Sequence, residues 1–392
     1  MQLLQNTTMD FKIKTLSFFA IILFLNCKNE PKTKNTYSST TATITENKYA
    51  TGFEIADFNS HKILSIISPW PKADKTYKYA LIQKNMLSEI TLDKDEFDGV
   101  ITVPIEKIVV TSTTHIPALE LLGIEETLIG FPGTDYVSSE KTRSRIDRGN
   151  IRELGKNEDI NTEVLLKLKP DVVIGYGVSS SNKTLETIQK SGIPVIYNGD
   201  WVESSPLAKA EWIKFFGALY NKEKEADSIF NQIESDYLSA KTLASNIINK
   251  PKVLCGAMHK DVWYLPNGTS PEAQILKDAN VNYLWSETSD KGSLALSFES
   301  VYTKAKDADF WLSPSYYSSL KTLAKANEHY TKFEAFKNKA IYTFANTTGE
   351  TGGVLYYELG TARPDLVLKD IIKICHPEFL KDYQPYFFKP LE

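Results

Sequence analysis

Residues 205–248 read SPLAKAEWIKFFGALYNKEKEADSIFNQIESDYLSAKTLASNII, and the interpretation of this stretch decides the fold. After Pro206 it holds no proline and a single glycine, Gly217, so little in it opposes a continuous helix. The segment predicts one long polar helix over 205–248. On both sides the pattern changes to short apolar runs alternating with helix-like stretches, from about Lys107 to Trp201 and from about Lys252 to the C-terminus. Two lobes on a stiff helical strut enclose a cleft of fixed width, which suits a receptor better than an enzyme. The predicted fold class is α/β: two βαβ lobes joined by a single long backbone helix, with a small N-terminal β-rich extension.

The first lobe is placed at 104–204. Lys107–Val110 reads as a buried strand closed by Thr111–Thr114, and Pro117–Leu122 has helical apolar spacing ending at Gly123. Thr127–Gly130, Asp171–Ile174 and Pro194–Tyr197 are further strands, and helices over Thr162–Leu168 (capped by Asn161) and Thr184–Lys190 separate them. Strands alternating with single helices indicate parallel βαβ units, whose ligands sit beyond the carboxyl ends of the strands. The second lobe, 249–392, repeats the plan. Its strands fall at Lys252–Cys255, Val262–Leu265, Ala308–Leu312 and Ala340–Phe344. Its helices fall at Pro271–Ala279, Ser297–Lys304 and from Arg363-Pro364 through Ile374. Ahead of both lobes, residues 51–103 alternate apolar and polar side chains, notably in Lys62–Ile67 and Tyr77–Ile82, and predict a β-hairpin packed on the first lobe.

The N-terminus has the order of an export signal. Met9 reads as the start, after an upstream extension, and Lys12 and Lys14 form a basic region. The apolar run Leu16–Leu25 is too short to span a bilayer but suits a signal-peptide core. It ends in Leu23-Phe24-Leu25-Asn26-Cys27, which resembles a bacterial lipobox with Cys27 as the acylated residue; the alternative is an ordinary secretory signal. Residues 1–27 are thus read as a lipoprotein signal peptide. Residues 28–50, rich in Thr, Ser, Lys and Asn, are read as a disordered tether. With 42% hydrophobic residues in 392, there is material for two cores, and a net charge of −4 argues against nucleic acid as a partner. If Cys27 is lipidated, Cys255 and Cys375 remain as a pair in an oxidising compartment, either bridged or as two buried thiols.

From about Val103 to Phe379 the chain resembles the iron-complex and cobalamin family of ABC-transporter substrate-binding proteins. The resemblance rests on Lys107–Val110 with Gly123, on Leu165-Leu166-Lys167-Leu168-Lys169-Pro170-Asp171 leading into Val172–Ile174, and on Gly192-Ile193-Pro194-Val195. Phe298-Glu299, Arg363-Pro364-Asp365 and His376-Pro377-Glu378 continue it in order. It implies a monomeric receptor without a cofactor of its own. Such a receptor delivers an iron siderophore, haem or corrinoid to an inner-membrane permease from the periplasm. It also implies one docking glutamate per lobe, for which Glu120 and Glu272 are the nearest carboxylates. Cys27-Lys28-Asn29-Glu30 partly resembles export signals of surface lipoproteins, so a surface-exposed capture lipoprotein is the alternative of another class.

Arginine usage gives the sharpest ligand expectation. Only five of the 45 basic Lys and Arg residues are arginines; Arg143, Arg145, Arg148 and Arg152 share one ten-residue loop, and Arg363 opens the last helix. Clustered guanidinium groups suit multidentate anion recognition, unless they pair with Asp135, Asp147 and Glu153 and only hold the loop. Tyr136, Tyr176, Trp201, Trp263, Tyr316, Tyr317 and Tyr356 fall near strand ends and would supply apolar area for a bulky chelate. His115 and His259 follow strands in opposite lobes and define the alternative of a metal-ion receptor, with an oxyanion receptor as a further option. His61, His329 and His376 add little, since a bare-ion site wants three or four converging ligands. No nucleophile elbow, phosphate-binding glycine loop or zinc-protease motif is present, which argues against catalysis.

Overall fold

A computed structural model describes residues 42–90, 92–179, 182–289 and 292–392. The predicted signal peptide, with Cys27, and most of the predicted tether lie outside the described residues. The N-terminal part forms a five-stranded sheet in chain order: β1 (Thr43–Thr45), β2 (Phe53–Asp57), β3 (His61–Ile66), β4 (Tyr77–Gln83) and β5 (Gly99–Val103). The expected hairpin is its centre, with Leu64 opposite Tyr79 in the antiparallel β3–β4 pair, while β5 runs parallel to β4. Period-two burial puts Phe53, Ile55, Leu64, Ile66, Tyr79 and Leu81 on one face, in the same core as Ile116 and Phe215 of the first lobe. The tether reading is corrected at its end. β1 pairs with β2, and the amides of Lys48, Tyr49 and Ala50 all donate to the Glu211 carboxylate.

In the first lobe come β6 (Ile108–Val110), α1 (Ile116–Leu121), β7 (Leu128–Phe131), α2 (Glu140–Asp147), β8 (Arg152–Glu153) and a small hairpin, β9 (Gly155–Lys156) with β10 (Asp159–Ile160). α3 (Thr162–Leu168), β11 (Val172–Gly175), α4 (Lys183–Lys190) and β12 (Val195–Tyr197) complete it. The sheet order is β12-β11-β6-β7-β8, all parallel, so the chain reverses its winding between β6 and β11. Asn161 caps α3 as expected, its side chain accepting from Val164 N at 3.0 Å.

The connecting segment carries its long helix over 23 residues, α7 (Glu223–Ser245), preceded by α5 (Pro206–Glu211) and α6 (Ile213–Leu219). The predicted strut thus starts later than residue 205. Every residue of α6 is buried, so α6 belongs to the first lobe's core; the chain then turns at Asn221, with φ of 56°, before α7 begins. Gly217 permits the turn, because a Cβ there would stand 2.7 Å from that of Ala226. On α7 the buried residues Ala226, Phe230, Ile233, Tyr237, Ala240 and Ala244 recur every three or four positions, giving one apolar stripe. The first three enter the first lobe's core and the last three the second lobe's, which is how one helix fixes both.

The second lobe contains β13 (Lys252–Cys255), β14 (Ala257–His259), β15 (Val262–Pro266), α8 (Pro271–Asp278), β16 (Asn282–Tyr283), β17 (Ser293–Leu296), α9 (Phe298–Ala305) and β18 (Phe310–Leu312). α10 (Leu320–Ala326), α11 (Glu334–Lys337), β19 (Ile341–Thr343), α12 (Leu355–Leu359), α13 (Pro364–Cys375) and β20 (Lys389–Pro390) follow. β16-β13-β18-β19-β20 form one sheet, parallel except for β20, and β14-β15-β17 form an antiparallel one. Cys255 and Cys375 are both buried and free, which corrects the bridge expectation. Burial pushes the Cys255 thiol up to about 12, so it stays protonated and inert as a nucleophile.

Candidate ligand-binding site

Short loops after the parallel strands of the second lobe open into a cavity of about 850 Å³. Gly256 follows β13, Ser313 follows β18 and Phe344 follows β19, so the cavity lies beyond carboxyl ends of the sheet, where open α/β sheets take their ligands. α8 and α13 also line the cavity, through Pro271, Ile275, Val367 and Ile371. The opposite side comes from Trp201–Ser204 of the first lobe and, unexpectedly, from Ser68–Lys72 of the N-terminal sheet. Most of the lining is apolar or aromatic. Tyr356 stacks flat on Phe344, with centroids 4.2 Å apart, and burial holds its hydroxyl well above the ordinary tyrosine range.

Of the aromatics expected in the cleft, Trp201 and Tyr356 line the cavity, and Trp201 is 39% exposed. Trp263 does not. It is fully buried, lies 5.4 Å from Trp311, and donates from Nε1 to the Cys255 carbonyl at 3.0 Å. Its neighbour Tyr264 takes the cavity position, because adjacent strand residues face opposite sides. Tyr176 is half-buried and does not line the cavity, Tyr136 and Tyr316 are exposed, and Tyr317 packs on Tyr330.

None of the five arginines lines the cavity, which corrects the anion-clamp expectation. The predicted arginine loop is largely helix α2. Arg143 donates to the Thr134 carbonyl at 2.9 Å and pairs with Asp147; Arg145 is buried against the Glu126 carboxylate and the Leu128 carbonyl. Arg148 and Arg152 are exposed, and Arg363 forms a two-pronged pair with Asp365 at 2.8 and 2.7 Å. Planar guanidinium groups here organise carbonyls and carboxylates of their own lobes.

Glu120 accepts hydrogen bonds from the hydroxyls of Ser139 and Thr142, while Glu272 stands among the cavity residues. His115 is wholly buried beside Phe216, and burial alone lowers its pKa to about 3, so it stays neutral. His259 lies exposed on β14, and neither histidine lines the cavity. Among the described residues no group of three or more His, Cys, Asp or Glu is placed to hold a metal ion. The cavity's charged groups are Lys72, Glu203, Lys209 and Glu272. Glu203 is already engaged by the Thr51 and Gly52 amides and by Trp212 Nε1.

The periplasmic binding protein family profile matches residues 108–347. The chain belongs to the periplasmic binding protein family. It is similar to an uncharacterized lipoprotein of Methanocaldococcus jannaschii, 28% identical over 298 residues that cover 74% of this chain and 69% of that one. Among solved structures, an ABC transporter substrate-binding protein from Listeria monocytogenes superposes with a TM-score of 0.50 at 18% identity, covering 69% of this chain and 99% of that one. A periplasmic haem-binding protein of Vibrio cholerae gives 0.52 at 18% identity, covering 67% and 99%. At such identities the likeness shows the fold, and the family and these neighbours are solute-binding proteins rather than enzymes. The family match leaves out the sheet of β1–β5 entirely.

A direct hydrogen-bonded link between the lobes is not legible in the sequence. Glu358 of α12 reaches across and accepts from the amides of Ser138 and Ser139 at 2.6 and 2.9 Å, at the N-terminus of α2. The loop before α12 lies so close that a Cβ on Gly353 would stand 2.2 Å from the Tyr136 carbonyl oxygen. Burial pushes the Glu358 carboxyl up to about 7, against the pull of the two amides, and the charge of Glu120 adds to the rise. A carboxyl raised in the folded state binds more protons there than in the unfolded chain. Its contribution is therefore fully present below about 4.5 and is lost as pH rises through about 7. Thermal midpoints measured across that window should fall less with rising pH in Glu358→Gln than in the natural chain; parallel profiles would remove Glu358 from this role.

Proposed function

We propose that this protein is the capture component of an ABC importer, anchored through acylated Cys27, that takes a bulky iron complex or corrinoid into the interlobe cavity for delivery to a membrane permease. The observation that carries the reading is the 850 Å³ cavity with its largely apolar and aromatic lining. A site of that kind holds a ligand by buried area with a few oriented polar contacts. With no arginine at the cavity, haem or a corrinoid fits better than a highly charged ferric siderophore. A bare metal ion has no converging donor set to meet it among the described residues.

Trp70 and Trp201 both line the cavity, so occupancy should quench intrinsic fluorescence. Titration with haem, cobalamin, ferric siderophores, molybdate and zinc should give saturable quenching with haem or cobalamin. Saturation by zinc or molybdate alone would sink the proposal. In cells, Cys27→Ser should move the protein from the membrane to the soluble fraction, and protease shaving of intact cells separates periplasmic from surface placement.

A further inference from the structure

We propose that the β3–β4 turn, Ser68–Lys72, is a third wall of the ligand cavity, and that Lys72 and Lys209 together receive an anionic group of the ligand. The inference deepens the cavity assignment above and rests on it.

Trp70 is the anchor of the turn. Its ring is 4% exposed and meets Tyr197 and Tyr77 edge-on at 5.2 and 5.6 Å. It sits over the carboxyl ends of β11 and β12. A Cβ on Gly177 would lie 3.0 Å from the Trp70 ring, and one on Gly199 would lie 2.5 Å from the Ser68 carbonyl oxygen. Both glycines fall just past strand ends of the first lobe, where a parallel sheet ordinarily offers its ligand position. The turn fills that position with protein. The open volume is displaced toward the second lobe, and the N-terminal sheet becomes part of the recognition surface.

The charges on this wall point the same way. Lys72 is exposed and lines the cavity, and among the described residues it forms no ion pair. Lys209 is half-buried on α5, and it too has no ion pair among the described residues. The buried Asp200 carboxyl lies near it and makes no ion pair with it; burial pushes that carboxyl up to about 6 against the pull of the Lys209 ammonium, so at neutral pH it stays mostly ionised and offsets part of the Lys209 charge. Glu203 is spent on amides and on Trp212, and Glu272 belongs to the second lobe. Two lysines lining one partly enclosed, largely apolar space favour an anion within it. The ligand class is thus an apolar body bearing a carboxylate, sulfonate or phosphate directed at the β3–β4 turn.

The test uses two dyes with the full chain: 8-anilinonaphthalene-1-sulfonate, apolar with one anionic group, and Nile red, apolar and neutral. Lys72 sits at φ of 60°, a conformation glycine adopts freely, so Lys72→Gly removes the ammonium and keeps the turn. Lys209→Gln is the second variant. Each substitution should weaken the sulfonate dye about tenfold or more and leave Nile red within about twofold. Unchanged sulfonate binding in both variants, or none in the natural chain, overturns the proposal. Displacement of the bound dye by haem or cobalamin reads the ligand assignment separately: dye binding that depends on Lys72 but resists both leaves the wall standing and removes that assignment.

Discussion

Trp263→Ala should destabilise the protein by about 3–5 kcal/mol, the range for deleting a large buried aromatic side chain. The ring is wholly buried, with Trp311, Tyr330 and Phe333 centred 5.4, 5.6 and 5.7 Å away. Its indole N–H also satisfies the Cys255 carbonyl, so truncation leaves both a cavity and an orphaned acceptor beside β13. Tyr264→Ala, one residue along the same strand, is the matched control. That side chain is 45% exposed and faces the ligand cavity, so its loss should alter affinity while stability changes by less than about 1 kcal/mol. Denaturant unfolding of the two variants decides the matter. A Trp263→Ala protein as stable as the natural chain would mean the aromatic cluster does not support the second lobe.

Glu211→Ala should cost about 3–5 kcal/mol as well, by breaking a buried charge network from one side. The Glu211 side chain is fully buried. It accepts the amides of Lys48, Tyr49 and Ala50 at 2.8, 2.7 and 2.8 Å and pairs with Lys214 at 2.9 Å. Lys214 is itself only 8% exposed and would keep Asp227 alone, at 3.3 Å. Three amides would lose their acceptor, and the chain leading into β2 would lose its clamp. Protease susceptibility near residues 42–50 should therefore rise along with the fall in melting temperature. Glu211→Gln, which retains one carbonyl acceptor, should lose less. If Glu211→Ala melts with the natural chain and resists protease equally, the N-terminal segment is held by β1–β2 pairing instead.

Both cases show where pattern reading stops. Trp263 and Tyr264 are equally aromatic, and both belong to the apolar run Val262–Leu265 that reads as a strand. Which of the two faces the core depends on the phase of the pleat, and that phase is set by pairing with β14 and β17. The arginines show the same limit in chemical form. Their clustering in the chain was plain, but a guanidinium group serves carbonyls of its own lobe as readily as a ligand's anion. Only the approach of α2 to residues 126–134 settled which partners Arg143 and Arg145 have.

Local sequence determined the two βαβ lobes, the Asn161 cap and the presence of a long polar helix. Each rests on spacing and capping between residues a few positions apart, which the chain encodes directly. The tertiary structure alone decided that the long helix begins at Glu223, that the N-terminal sheet shares the first lobe's core, and that Ser68–Lys72 reaches the cavity. It alone joined Glu358 to the amides of Ser138 and Ser139, more than two hundred residues apart in the chain. Contacts of that separation depend on how already formed elements pack, and no local periodicity carries their record.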